Sequence, residues 1–174
     1  DHGLSARDLD KKKPWVVIML LSTPRAQTGL PLDMRLQLEA TLQGKPIYGL
    51  ETMAEQIAVF NDMSMKDQVA LLRDTLDQRQ EVARQFDTLM HAYLDRDLVK
   101  LMSIVNGPRK QKSGAFVAMM DRLLTRRNEI MLARMRERLE EGNAFIAVGA
   151  AHLPGQAGLL QLLEDMGYGV SVVY

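Results

Sequence analysis

The chain has 174 residues, 47% of them hydrophobic and 25% charged, and its 22 basic and 22 acidic side chains leave no net charge. That balance is ordinary for a globular protein in water and lacks the basic excess of a dedicated nucleic-acid surface. Cysteine is absent, which excludes disulfides, thiol nucleophiles and cysteine-based zinc sites and leaves the cytoplasm and the periplasm equally open.

Residues 1–13 are polar and read as loose. Lys11-Lys12-Lys13 before Val16–Leu21 faintly resembles a signal peptide. The apolar stretch is too short and has no clear small-residue cleavage site, so that reading is rejected. No run approaches the roughly 18 apolar residues of a membrane span. The chain starts at Asp1 without a Met, which suggests a processed product or an excised fragment.

Pro14 suits the first position of a helix running through Trp15 to Leu21, although the β-branched Val16, Val17 and Ile18 would also suit a strand. Pro24, Gly29 and Pro31 mark residues 23–32 as a loop. Asp33 is a candidate N-cap for a short helix over Met34, Leu36, Leu38, Ala40 and Leu42, which Gly44 ends. Pro46-Ile47-Tyr48-Gly49-Leu50 reads as a buried strand, Glu51 follows it, and Thr52 can cap a helix to about Asn61.

Ser64-Met65-Lys66-Asp67 is a loose capping box. After it Val69, Leu72, Leu76, Ala83, Phe86, Met90 and Tyr93 keep helical spacing, with Arg79 interrupting. This helical insert, about 64–105, ends at Asn106-Gly107-Pro108, and Arg109-Lys110-Gln111-Lys112 reads as a solvated loop. A third helical region, about Ala115 to Glu141, aligns Phe116, Met120, Leu123, Arg127, Met131, Met135 and Leu139 on one stripe. Arg127 therefore occupies an apolar position, with Asn128 beside it on the row of Leu124, Met131 and Met135. Past Gly142-Asn143 come a strand at Phe145–Val148, a helix from about Pro154 to Met166, and a strand at Val170–Tyr174. No repeat or low-complexity segment is visible. The expected fold is a single helix-rich α/β domain over residues 1–174: a small, mainly parallel sheet flanked by helices. Three strands make a thin sheet, which hints that strands are supplied from elsewhere.

Three features bear on chemistry. Glu51 and His152 each follow an expected strand at its carboxyl end, where α/β sheets place their ligands. Arg127 is a charge on an apolar face, and a buried guanidinium needs a carboxylate. Carboxylate plus imidazole is also a donor set for a catalytic divalent metal, which would acidify a bound water, with Arg127 or Asn128 on the developing oxyanion. Structural readings stand beside this one. Glu51 would cap the next helix, Arg127 would form an ion pair or snorkel, and His152 would bond within its own turn. His91 lies mid-helix, where a surface or packing role is expected, and His2 lies in the terminus. His-Glu-x-x-His, phosphate-loop and Gly-x-Ser-x-Gly motifs are absent. The 12 Met residues read mostly as core filler.

Gly149-Ala150-Ala151-His152-Leu153-Pro154-Gly155, followed by Gly158-Leu159-Leu160 and Leu163 to Gly167-Tyr168, resembles the C-terminal signature of the TraB/GumN family. Leu30-Pro31-Leu32-Asp33, Gly44-Lys45-Pro46 and Gly49-Leu50-Glu51-Thr52 resemble its middle block. Arg127-Asn128-Glu129-Ile130-Met131 resembles its Arg-Asn-x-x-Met helix, and Pro14-Trp15 fits a typical family dipeptide. The resemblance spans about residues 14–174, with the blocks in the expected order.

The resemblance implies a bacterial and exported or periplasmic protein. It also implies kinship with the animal Tiki proteins, described as metal-dependent proteases, and with a branch that binds or degrades a peptide pheromone. Carried over, it puts His152 and Glu51 at a metal site (manganese, cobalt or zinc) with Arg127 and Asn128 as polar partners. The function it implies is peptide hydrolysis by a metal-activated water. The alternative is a non-catalytic protein that sequesters a peptide or small ligand in the same crevice. The family's first Gly-x-x-His, on an N-terminal strand, is missing here. The expectation is therefore a fragment of a longer protein, with half the ligand set outside it.

Overall fold

The computed structural model describes residues 5–23, 29–107 and 113–173. The middle of the loop expected at 23–32, the run Arg109-Lys110-Gln111-Lys112, His2 and Tyr174 lie outside the described residues.

The chain is helical. Helix α1 spans Ala6–Asp10 and α2 spans Pro14–Ser22, with Pro14 at its first position as expected. Helix α3 is Leu32–Leu42; it begins after Pro31, so Asp33 lies in its first turn rather than at its cap. Helices α4 (Met53–Asn61) and α5 (Met65–Asp77) carry the expected caps, Thr52 and Ser64, each accepting a backbone N–H three residues on. The long insert is not one rod. It breaks at Gln78 into α5 and α6 (Arg79–Leu94), and α7 (Leu98–Asn106) folds back on α6 through Arg96, whose φ is +59°. Helix α8 (Gly114–Met120) passes through one π turn, Asp121–Thr125, into α9 (Arg126–Glu141) without leaving helical geometry. Gly142 ends α9 at φ +76°, a conformation that favours glycine. A 3₁₀ turn at Ala150–His152 and helix α10 (Leu159–Asp165) are the last regular elements among the described residues. The helix expected from Pro154 starts later because residues 154–158 form a turn.

Two apolar clusters organise these helices. One joins Met63, Leu71 and Ala115 with Ile18, Ala70, Phe116 and Met119, holding α2 and α5 against α8. Trp15 stacks on Phe60 beside it, centroids 6.0 Å apart. The other joins Met131, Met135 and Leu159 with Leu50, Leu132, Leu139, Ile146, Val148 and Leu163, packing α9 on α10. Fully burying a side chain such as Met131, Met135 or Leu159 contributes about 1.5–3 kcal/mol. The α8–π–α9 rod reaches from one cluster to the other.

The expected sheet does not form. Among the described residues there is no strand, and the α/β expectation is overturned in favour of an all-helical arrangement. Residues 46–50, 145–148 and 170–173 carry no regular structure. Their side chains still partly follow a strand's alternation: Ile146 and Val148 pack on α9 while Phe145 is 79% exposed. Val172 and Val173 are 89% and 84% exposed. A strand exists only with a partner for its backbone groups, and these segments do not pair with one another.

Three arginines of α9 fasten the 48–55 segment instead. Arg138 lies over the Tyr48 ring, 4.6 Å from its centroid. Arg134 donates to the Leu50 carbonyl at 2.8 Å and bidentately to Glu55 at 2.8 and 2.6 Å. Arg127 takes Glu51. These positions, separated by seven and four residues, lie along one side of the helix.

Candidate functional site

Thr52 Oγ1 accepts from the Glu55 N–H at 3.2 Å, and Glu55 Oε2 accepts from the Thr52 N–H at 2.8 Å. That capping box is complete without Glu51. The Glu51 carboxylate, its side chain 5% exposed, meets Arg127 instead. Arg127 Nε donates to Oε1 and Nη2 donates to Oε2, both at 2.7 Å, while Nη1 donates to the Leu123 carbonyl in the π turn at 3.1 Å. Of the five guanidinium N–H groups, three are used in these bonds and two remain.

Arg126, one residue earlier, pairs with Asp121 at the surface. Asn128, one residue later, is buried at 2% exposure. Its amide Nδ2 donates to the Ala157 carbonyl at 2.6 Å and to the His152 carbonyl at 3.3 Å. Its Oδ1 lies 2.6 Å from His152 Nδ1. One side chain of α9 thus holds both ends of the 152–157 turn.

The turn is shaped to permit this. Gly155 takes φ +92°, and Gly158 sits so close to its predecessors that a Cβ would lie 2.3 Å from the Pro154 carbonyl oxygen and 2.4 Å from that of Leu153. Only a residue without Cβ closes the loop this tightly. His152 is 7% exposed, and α7 packs beside its turn. Burial and then the nearby Arg127 charge lower its pKa from 6.5, and Glu51 opposes them. Burial and Arg127 thus favour the neutral imidazole, and Nε2 has no hydrogen-bond partner among the described residues.

Glu51, Arg127, Asn128 and His152, from three separate stretches of chain, accordingly meet in one buried polar cluster. His91 does not join it; its Nδ1 faces the Asp87 carbonyl of its own helix at 2.7 Å. Sequence reasoning missed the Ala157 and Leu123 carbonyls, and it had Gly158 as part of the family signature without its task in the turn. The two closely spaced glycines, Gly155 and Gly158, were the available signal for a tight turn.

Metal binding fares differently. Catalytic metals take about three protein ligands, and no group of three His, Cys, Asp or Glu side chains placed to hold an ion occurs among the described residues. Both Glu51 oxygens are already engaged by Arg127. The described residues do not by themselves fit a catalytic metal ion.

The model of the TraB/PrgY/gumN family matches residues 1–172. A metalloprotease TIKI homolog of Nematostella vectensis is 26% identical over 201 aligned residues, covering 99% of this chain and 43% of the relative. The uncharacterized protein YbaP of Escherichia coli K12 is 29% identical over 169 residues, covering 94% of this chain and 61% of the relative, and the YbaP of Shigella flexneri matches equally. The chain thus spans less than two thirds of the curated relatives it matches. No solved structure matches it significantly.

Proposed function

The chain belongs to the TraB/PrgY/gumN family, and from that premise we propose that it carries part of a hydrolytic, peptidase-like site centred on His152 and Arg127. The observation that carries this reading is the buried His152 held by Asn128 beside the Arg127–Glu51 pair. A neutral imidazole with an unoccupied nitrogen is a general base for water. A guanidinium oriented by a carboxylate, with two N–H groups that have no partner among the described residues, is a donor for the oxyanion of an acyl-transfer intermediate. In this reading Nε2 of His152 takes the proton of a water attacking a peptide carbonyl. Arg127 stabilises the charge on the carbonyl oxygen, with Glu51 keeping the guanidinium in place, and collapse of the tetrahedral intermediate breaks the C–N bond as the protonated His152 returns its proton to the leaving amine. The metalloprotease name of the sea-anemone relative supports the reaction class. No step is assigned to a metal, because the described residues do not complete a ligand set.

This reading gives Asn128 a task other than oxyanion stabilisation. Both of its N–H directions are spent on carbonyls, so it supports the histidine. The test is incubation of the protein with a peptide library, with and without manganese, cobalt or zinc, and mass spectrometry of the products. Cleavage that falls by about a hundredfold or more in His152→Ala, the usual scale for a general base, is the expected result. Peptides bound but uncut by the parent protein would overturn hydrolysis in favour of a sequestering protein.

A further inference from the structure

We infer that Asn128 is the positioning residue that fixes the tautomer of His152, holding the proton on Nδ1 and leaving Nε2 as the ring's unprotonated nitrogen. The orientation of the Asn128 amide decides the tautomer. An Asn side chain can be placed either way round, and its partners decide which. On one side Asn128 faces two backbone carbonyls, those of Ala157 at 2.6 Å and His152 at 3.3 Å. Carbonyls only accept, so the NH₂ must point there; the reverse placement would set an oxygen against two oxygens in a buried site. The amide oxygen is therefore the atom 2.6 Å from His152 Nδ1. An oxygen without a proton needs a donor opposite it, so Nδ1 carries the hydrogen.

In water a neutral histidine side chain favours the other tautomer, with hydrogen on Nε2. The fold therefore selects the minor form, and it does so at a nitrogen without any other protein partner among the described residues. The Ala157 carbonyl takes part although it is five residues from the ring, because it orients the amide that orients the imidazole. Gly158 in turn holds that carbonyl in place by its close approach to Leu153 and Pro154.

This inference rests on the proposed role of His152 as the reacting base, but its test does not use activity. The ¹⁵N-labelled protein, without peptide or metal, is examined by long-range ¹H–¹⁵N correlation of the His152 ring above pH 7. The expected spectrum has a protonated Nδ1 and an unprotonated Nε2. In Asn128→Ala the ratio shifts toward Nε2–H by about tenfold, on the order of one neutral hydrogen bond. An Nε2–H ring in the parent protein, or an unchanged Nδ1–H ring in Asn128→Ala, would overturn the inference; if the alanine variant does not fold, the parent spectrum decides. An inactive protein with an Nδ1–H ring would remove the hydrolytic reading alone.

Discussion

The Arg127 guanidinium and the Glu51 carboxylate lie edge to edge, two nitrogens against two oxygens at 2.7 Å, across 76 residues of sequence. Their side chains are 18% and 5% exposed, so solvent screens the pair only weakly. Removing one partner strands the other's charge, which typically costs about 3–5 kcal/mol for a buried pair. Glu51→Ala and Arg127→Ala are each expected to destabilise the fold by that order, and the double variant by much less than their sum. Urea unfolding of the three variants checks this; additive losses would mean that the pair is not coupled. Arg127→Lys should not rescue, because a lysine cannot make both bonds at once.

His152 gives stability a pH dependence of known sign. Its folded pKa lies below the ordinary 6.5 because burial and then Arg127 disfavour the cation. The unfolded chain therefore binds the proton first as pH falls. The contribution is fully present above about pH 6.5 and is lost as pH drops toward the folded pKa, with a slope of at most about 1.4 kcal/mol per pH unit. Unfolding free energies from pH 8 to 5 should decline more steeply in the parent protein than in His152→Gln. Equal slopes would show that the ring is not desolvated.

Glu55 acts in a different window. Arg134 and then the Thr52 cap hold its carboxyl down at about 2, from 4.5. Its contribution is present above about pH 4.5 and disappears as pH falls toward 2. Glu55→Gln should therefore lower the melting temperature at pH 7 and leave it almost unchanged near pH 2. A loss of the same size at both ends would point to packing instead of charge.

Gly158→Ala tests the turn. Its methyl group would meet two backbone carbonyl oxygens at 2.3 and 2.4 Å, and backbone cannot yield as a side-chain tip can. Destabilisation of about 1–3 kcal/mol is expected. So is loss of the ordered environment at Asn128, read as faster hydrogen exchange of its side-chain amide. Gly114→Ala, where nothing lies within 4 Å, is the matched control and should be neutral or stabilising.

The helices were legible because their signals are local. Pro14, Thr52 and Ser64 each announce a start through groups within one turn. The cluster was legible for a related reason: Arg127 sat on an apolar face, and its partner stood at the end of an apolar run. The sheet was misread because apolar alternation reports a surface to be covered, not a neighbour to pair with. Ile146 and Val148 do cover α9, but among the described residues no second backbone pairs with theirs. Asn128's task was hidden as well, since carbonyl acceptors such as those of Ala157 and His152 have no side-chain signature.

The π turn at Asp121–Thr125 sets the angular phase between the two ends of the rod. A π turn accommodates one residue more than the α-helix it interrupts, and each α-helical residue corresponds to about 100° of rotation. Ala115 and Phe116 can thereby address one cluster while Asn128, Met131 and Met135 address the other. A single deletion within 121–125 that restored plain α-helix would turn Arg127 and Asn128 away from Glu51 and His152 with every side chain of the cluster still present. The cluster thus depends on chain length as well as composition, and shuffled or shortened variants should lose it abruptly.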